Sequence, residues 1–173
     1  YLVISQHPVV TEVSSSLDQI RITYEALEEF NLPKFWILPN IDAGNSSAHV
    51  FLKDNIKNSK TPIYLINSMP FELYATLISN SKCLIGNSSS GIRESSFLGV
   101  PSVNIGNRQF GRLRGPNTLD CEHSVESISK AIKYQIDHGH YLSSNIYGDG
   151  KSGELISRHL SKCSLLLDKT ITY

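Results

Sequence analysis

Residues Cys83 to Gly115 read CLIGNSSSGIRESSFLGVPSVNIGNRQFGRLRG, and the fold turns on this stretch. An apolar run (Cys83, Leu84, Ile85) breaks at Gly86 into the small polar turn Asn87, Ser88, Ser89, Ser90, Gly91. A helix-like segment carrying Arg93 and Glu94 follows and leads into a second apolar run, VPSVNI. Strand, turn, helix, strand is the repeating unit of a parallel sheet. The turn places backbone N–H groups and serine hydroxyls at a helix N-terminus, where partial positive charge favours an anion. Glu94, one turn into that helix, can accept two hydrogen bonds from a vicinal diol such as a ribose. A phosphate beside a ribose is a nucleotide, so the segment reads as a cradle for a nucleoside diphosphate. Taken alone, the turn equally fits a tight polar connection, and Glu94 a solvated helix position.

Outward from this unit the same alternation continues. Tyr1 to Ser5 reads as a buried strand stopped by Pro8. Leu17, Ile20, Tyr24 and Leu27 recur at helical spacing within 14–30. Further strands are expected at Phe35 to Leu38, Ile63 to Ile66 and Thr118 to Cys121, with helices over about 46–58, 125–137 and 151–167. Pro70 opens another helix at the first position, which proline favours. This order predicts an α/β fold, a parallel sheet with right-handed crossovers. Ligands of such sheets bind beyond the carboxyl ends of the strands. His7, Asn40, Asp42, Ser88 to Ser90 and Arg108 all fall in loops at that edge.

Composition narrows the classes. A chain of 173 residues with 40% apolar and 18% charged residues is globular rather than disordered. Lys plus Arg and Asp plus Glu stand at 16 each, so no global field draws nucleic acid or an anionic membrane, and any anion site must be local. No apolar run reaches the ~18 residues of a membrane span. Cys83, Cys121 and Cys163 show neither disulfide nor zinc spacing and suit reduced thiols in a cytoplasmic protein. The chain opens on an apolar run without an initiator Met, from which we expect the second half of a longer protein.

Each remaining candidate has two readings at this level. His7, between a strand and a proline, is a loop histidine bonded to a neighbouring carbonyl or a group facing the cleft. Asp42 and Asn45 in PNIDAGNSS suit helix capping as well as a ligand. Arg108, Arg112 and Arg114 give local positive charge beside the cradle or simply a soluble surface. The other histidines have no metal-ligand spacing, and Gly148 to Gly150 reads as a turn.

Together QHP, PNIDAG, GNSSSGIRE, VNIGNRQFGR and IYGDG resemble, in order and over most of the chain, the C-terminal half of the hydrolysing UDP-N-acetylglucosamine 2-epimerases. The resemblance implies a Rossmann-like parallel sheet with helices on both faces, over 1–173 as a single unit. This would be the second, UDP-binding domain of a glycosyltransferase-B-type enzyme that lacks its N-terminal domain here. It implies that Ser88 and Ser89 bind the diphosphate, Glu94 the ribose and Arg108 the phosphates. Asn40 would line the cleft, Met69 and Tyr74 would hold the uracil, and His7 would help UDP leave. It implies no metal and no further cofactor, a homo-oligomer in the full-length protein, and no turnover by this half alone. Nonhydrolysing relatives carry an SGG-type turn followed by acidic residues; Ser90 and Ser95 stand there instead, which favours the hydrolysing branch. The sugar stays open between UDP-N-acetylglucosamine and UDP-diacetylbacillosamine. The motifs also leave open a donor-binding domain of a glycosyltransferase, or a nucleotide-sensing module.

Overall fold

A computed structural model describes residues 1–38 and 45–164. Its strands are β1 (Leu2–Ser5), β2 (Lys34–Ile37), β3 (Ile63–Ile66), β4 (Cys83–Gly86), β5 (Ser102–Ile105) and β6 (Thr118–Cys121). They form one six-stranded sheet in the order β3-β2-β1-β4-β5-β6, and every pairing is parallel. The helices are α1 (Ser16–Leu27), α2 (Asn45–Asn55), α3 (Phe71–Ser79), α4 (Glu94–Leu98), α5 (Val125–His138) and α6 (Ser152–Leu160).

The strands read as near-continuous apolar runs because both faces of the sheet are covered. Leu2 and Ile4 point to one face, where they pack with Ile20 and Leu27 of α1, Leu52 of α2 and Ile128 and Ile132 of α5. Val3 and Leu84 point to the other, against Ile78 of α3 and Val100 after α4. Ser5, Ser102 and Asn104 are buried polar residues within the strands, and Lys34 is a buried charged one, 0% exposed. Its Nζ donates to Phe30 O at 3.0 Å and to Thr61 Oγ1, which ties the end of α1 to the foot of β2. Burial pushes the Lys34 ammonium below its ordinary pKa.

Several expected elements differ, β2 among them, which runs Lys34–Ile37 rather than Phe35 to Leu38. Pro70 is the residue before α3, extended at φ −56° and ψ 147°, rather than its first helical residue. The helix expected from Ser90 is a single 3₁₀ turn, Ser89–Gly91, followed by the separate α4 that starts at Glu94. Ile92 and Arg93 separate the two, and Gly99, at φ 67°, ends α4 directly after Leu98, before β5 begins at Ser102. The last helix stops at Leu160, and residues 165–167 of the expected span lie outside the described residues.

Candidate functional site

The order of the sheet reverses between β1 and β4. Chains leaving these two strands part toward opposite faces and open a crevice at their carboxyl ends. His7 follows β1, and Asn87 to Ser90 follow β4, so the switch point holds both. Gly86 makes the approach possible: at φ 132°, a Cβ there would lie 2.2 Å from Ser5 O. The amides of Asn87 and Ser88 both donate to that oxygen, each at 3.2 Å. The Asn87 side chain then accepts from His7 N–H at 2.7 Å and donates to His7 O at 2.8 Å. From the loop after β5, Arg108 Nη1 donates to Asn87 O at 3.0 Å. His7, the serine turn and Arg108 are therefore brought together, as the motifs suggest.

The serine turn works differently from its sequence reading. Its amides are largely occupied: Ser90 N–H meets Ser88 Oγ, and Gly91 N–H meets Ser88 O. With one 3₁₀ turn and a five-residue α4, little dipole accumulates there. Hydroxyls carry the polarity instead. Tyr74 OH lies 2.6 Å from Ser90 Oγ, which lies 2.8 Å from Ser88 Oγ. If each hydroxyl in that chain donates to the next, the Ser88 hydrogen is left for an acceptor in the crevice. Burial also raises the Tyr74 phenol above its ordinary pKa, so it remains a donor at neutral pH.

Glu94 stands at the first position of α4, not one turn in. Its Oε2 is buried without a hydrogen-bond partner. The residue lines a cavity of about 360 Å³ with Phe71, Arg93, Phe97 and Tyr147. An unpaired carboxylate oxygen beside aromatic walls suits a ligand that brings hydroxyl donors and a flat face. Met69 is half-buried in the loop between β3 and α3. Tyr74 faces the serine turn rather than this cavity. Asn40 and Asp42 lie outside the described residues.

The three arginines part company. Arg112 is exposed. Arg114 pairs with Asp120 at 2.7 Å and donates to Arg112 O and Gln109 O, so its charge is answered within the protein. Arg108 alone reaches the turn. Glu12, unremarked in the sequence, accepts from Gln19 Nε2 at 2.7 Å and Asn107 Nδ2 at 3.0 Å. Those bonds hold its carboxyl below the usual pKa and fasten the loop that bears Arg108. Asn87, named in the sequence only as a turn residue, and Gln109, unremarked there, are buried polar residues. An amide directly after a strand-ending glycine was the only available sign of the first. Among the described residues no group of three or more His, Cys, Asp or Glu could hold a metal ion, and no helix is long and apolar enough to cross a membrane.

Six parallel strands in this order, with a polar crevice at the reversal, define an α/β unit of the Rossmann class. Residues 1–161 match the family model described as UDP-N-acetylglucosamine 2-epimerase, and the chain belongs to that family. It is 30% identical over 168 residues to the UDP-N,N'-diacetylbacillosamine 2-epimerase (hydrolyzing) of Legionella pneumophila, covering 91% of this chain and 44% of that protein. It is 37% identical over 139 residues to the polysialic acid biosynthesis protein P7 of Escherichia coli, covering 79% and 35%. The fold is shared with a UDP-GlcNAc 2-epimerase of Methanocaldococcus jannaschii solved in complex with UDP-GlcNAc and UDP. That match has a TM-score of 0.71 at 20% identity, over 93% of this chain and 45% of that one. The chain thus spans less than half the length of these relatives.

Proposed function

We propose that this chain is the UDP-binding half of a hydrolysing UDP-sugar 2-epimerase and forms a single Rossmann-like unit, the second domain of a glycosyltransferase-B-type enzyme. The substrate is UDP-N-acetylglucosamine or UDP-diacetylbacillosamine, and the products are UDP and the free 2-epimer sugar, a precursor type for sialic and other nonulosonic acids. Ser88 and Ser89 hold the diphosphate, with Arg108 beside it. Glu94 takes the ribose hydroxyls with the Oε2 that has no internal partner. The Met69 backbone holds the uracil, Asn40 lines the cleft, and Tyr74, expected from the resemblance to hold the uracil as well, instead orients the serine turn through its bond to Ser90.

In the reaction, a base outside this chain removes the proton on the carbon bearing the acetamido group. The electron pair forms the C1–C2 double bond as the C1–O bond breaks and UDP departs with its electrons. Water then adds across that double bond, OH to C1 and H to the opposite face of C2. Charge develops on the leaving diphosphate, so groups that strengthen their contact with it lower the barrier. We assign that role to His7, whose main chain is bonded to the Asn87 side chain, with Arg108 and the Ser88 hydroxyl. The base residues lie elsewhere in the full-length protein, so this half alone binds without turning over.

Ser95 supports the hydrolysing branch. It is 0% exposed, donates to Gly91 O at 2.7 Å and accepts from Asn117 Nδ2 at 3.0 Å. A carboxylate in that place, as in nonhydrolysing relatives, would be a buried charge with no cation to meet it.

The observation that carries the reading is the convergence of His7, the Ser88 turn and Arg108 at the switch point. Full-length protein incubated with UDP-N-acetylglucosamine or UDP-diacetylbacillosamine, and no acceptor, should release UDP and free 2-epimer in equal amounts. A sugar that epimerises while still attached to UDP, or release only when an acceptor is added, would overturn it.

A further inference from the structure

One buried residue bonds to both the loop of His7 and the loop of Arg108 yet has no role in the reading above. Asn87 is 0% exposed. The ladder between β1 and β4 ends at Ser5 and Gly86, and beyond it the two main chains diverge. The Asn87 side chain occupies the next place: Oδ1 accepts from His7 N–H at 2.7 Å, and Nδ2 donates to His7 O at 2.8 Å. These two bonds fix the His7 backbone from a residue 80 positions away. Its main-chain oxygen meanwhile accepts both Arg108 Nη1 at 3.0 Å and Gln109 Nε2 at 2.7 Å. A carbonyl has two lone pairs, and both are used. The next residue in the chain is Ser88.

The geometry points to Asn87 as the positioning residue whose side chain sets His7 at a fixed distance from the Ser88 turn. This rests on the proposed function, in which those groups face the departing UDP. The chemistry explains the residue type. A carboxamide offers one acceptor and one donor at the same reach, which is what a peptide N–H and C=O require. Aspartate has the same shape but no donor, so it would set a negative charge against His7 O. Alanine offers neither, and glutamine is one methylene too long. Asn87 touches no reacting atom in this scheme and acts through its partners.

The test uses Asn87→Ala and Asn87→Asp in the full-length protein, with two readouts. In backbone hydrogen exchange, the His7 amide should exchange about tenfold faster or more in Asn87→Ala, while Leu84 and Ile85 in the neighbouring strand stay within about twofold. In turnover of the UDP-sugar, both variants should lose about 10- to 100-fold in kcat with KM within about threefold, because sub-ångström misplacement of groups near the leaving group is felt in the transition state. Unchanged His7 exchange would show that the clamp does not form. Equal acceleration across β1 and β4 would make Asn87 a general structural residue. Faster exchange with unchanged kcat would show that the position it enforces is not used. Each of these overturns the inference. Should Asn87→Ala fail to fold, the isosteric Asn87→Asp carries the kcat test. A wild-type protein without turnover refutes the proposed function instead, and the exchange pattern still decides whether the clamp exists.

Discussion

Replacing Glu94 with glutamine tests the proposed ribose contact with little change of shape. Glu94 Oε2 is buried and has no internal hydrogen-bond partner, so the substitution breaks nothing at that atom in the unliganded protein. The melting temperature should stay within roughly 2 °C of wild type, since the shift scales with lost free energy. Binding is another matter. A hydrogen bond to a charged group is worth about 1.5–3 kcal/mol, and tenfold in affinity corresponds to about 1.4 kcal/mol. UDP should therefore bind about 10- to 150-fold more weakly to the variant. 2′-Deoxy-UDP has one hydroxyl fewer to offer, so its loss should be about half as large in free energy, or about 3- to 12-fold. Calorimetry on the full-length protein with both ligands measures the two ratios. Equal ratios for UDP and its deoxy analogue would place Glu94 away from the ribose. A large fall in melting temperature without ligand would show that the carboxylate is needed for the fold.

Three further outcomes are expected. His7→Ala in the full-length protein should lower kcat by about 10²–10⁴ and leave KM nearly unchanged, as leaving-group assistance is expressed in the transition state; steady-state kinetics showing wild-type kcat would make the histidine structural. Gly86→Ala should destabilise the protein by more than about 2 kcal/mol in urea unfolding, because its φ of 132° and the 2.2 Å approach of Ser5 O leave no place for a Cβ; a loss below about 0.5 kcal/mol would mean that β1 and β4 can part there. Burial depresses the His123 imidazole below its ordinary 6.5, opposed by Glu12. Its folded form thus holds fewer protons than the unfolded chain between the folded pKa and 6.5, so stability falls as pH drops through that window and levels off below it. His123→Asn should flatten that part of a melting-temperature profile, and an unchanged slope would assign the effect elsewhere.

The elements were legible where one local signal dominated. Ile63–Ile66 and Thr118–Cys121 were expected with the limits they have, as short apolar or β-branched runs between turn residues. β2 begins at Lys34, one residue before the expected start, because a lysine argues against a buried strand until its ammonium is seen capping Phe30 O. The broken helix after Ser90 was illegible for a related reason. Periodicity from Ile92 to Leu98 suits one helix, but Ile92 and Arg93 stand outside both the 3₁₀ turn and α4, and the left-handed Gly99 ends α4 after Leu98.

The site divides along the same line. His7, Ser88, Ser89 and Arg108 were visible because each stands in a loop just past a strand, and parallel topology alone sends all such loops to one edge. Which of them are held, and by what, depends on contacts across 80 residues for His7 and 21 for Arg108, and no local pattern encodes those. Arg108 and Arg114 lie six residues apart in one basic loop with equal claims on an anion. Only the fold pairs Arg114 with Asp120 and leads Arg108 to the turn. In a chain with balanced charge this selection leaves one arginine, Arg108, at the turn. A neighbouring carboxylate removes one arginine from the site, solvent takes another, and the main-chain carbonyl of a buried asparagine draws the third to the Ser88 turn, where the proposed function puts the diphosphate.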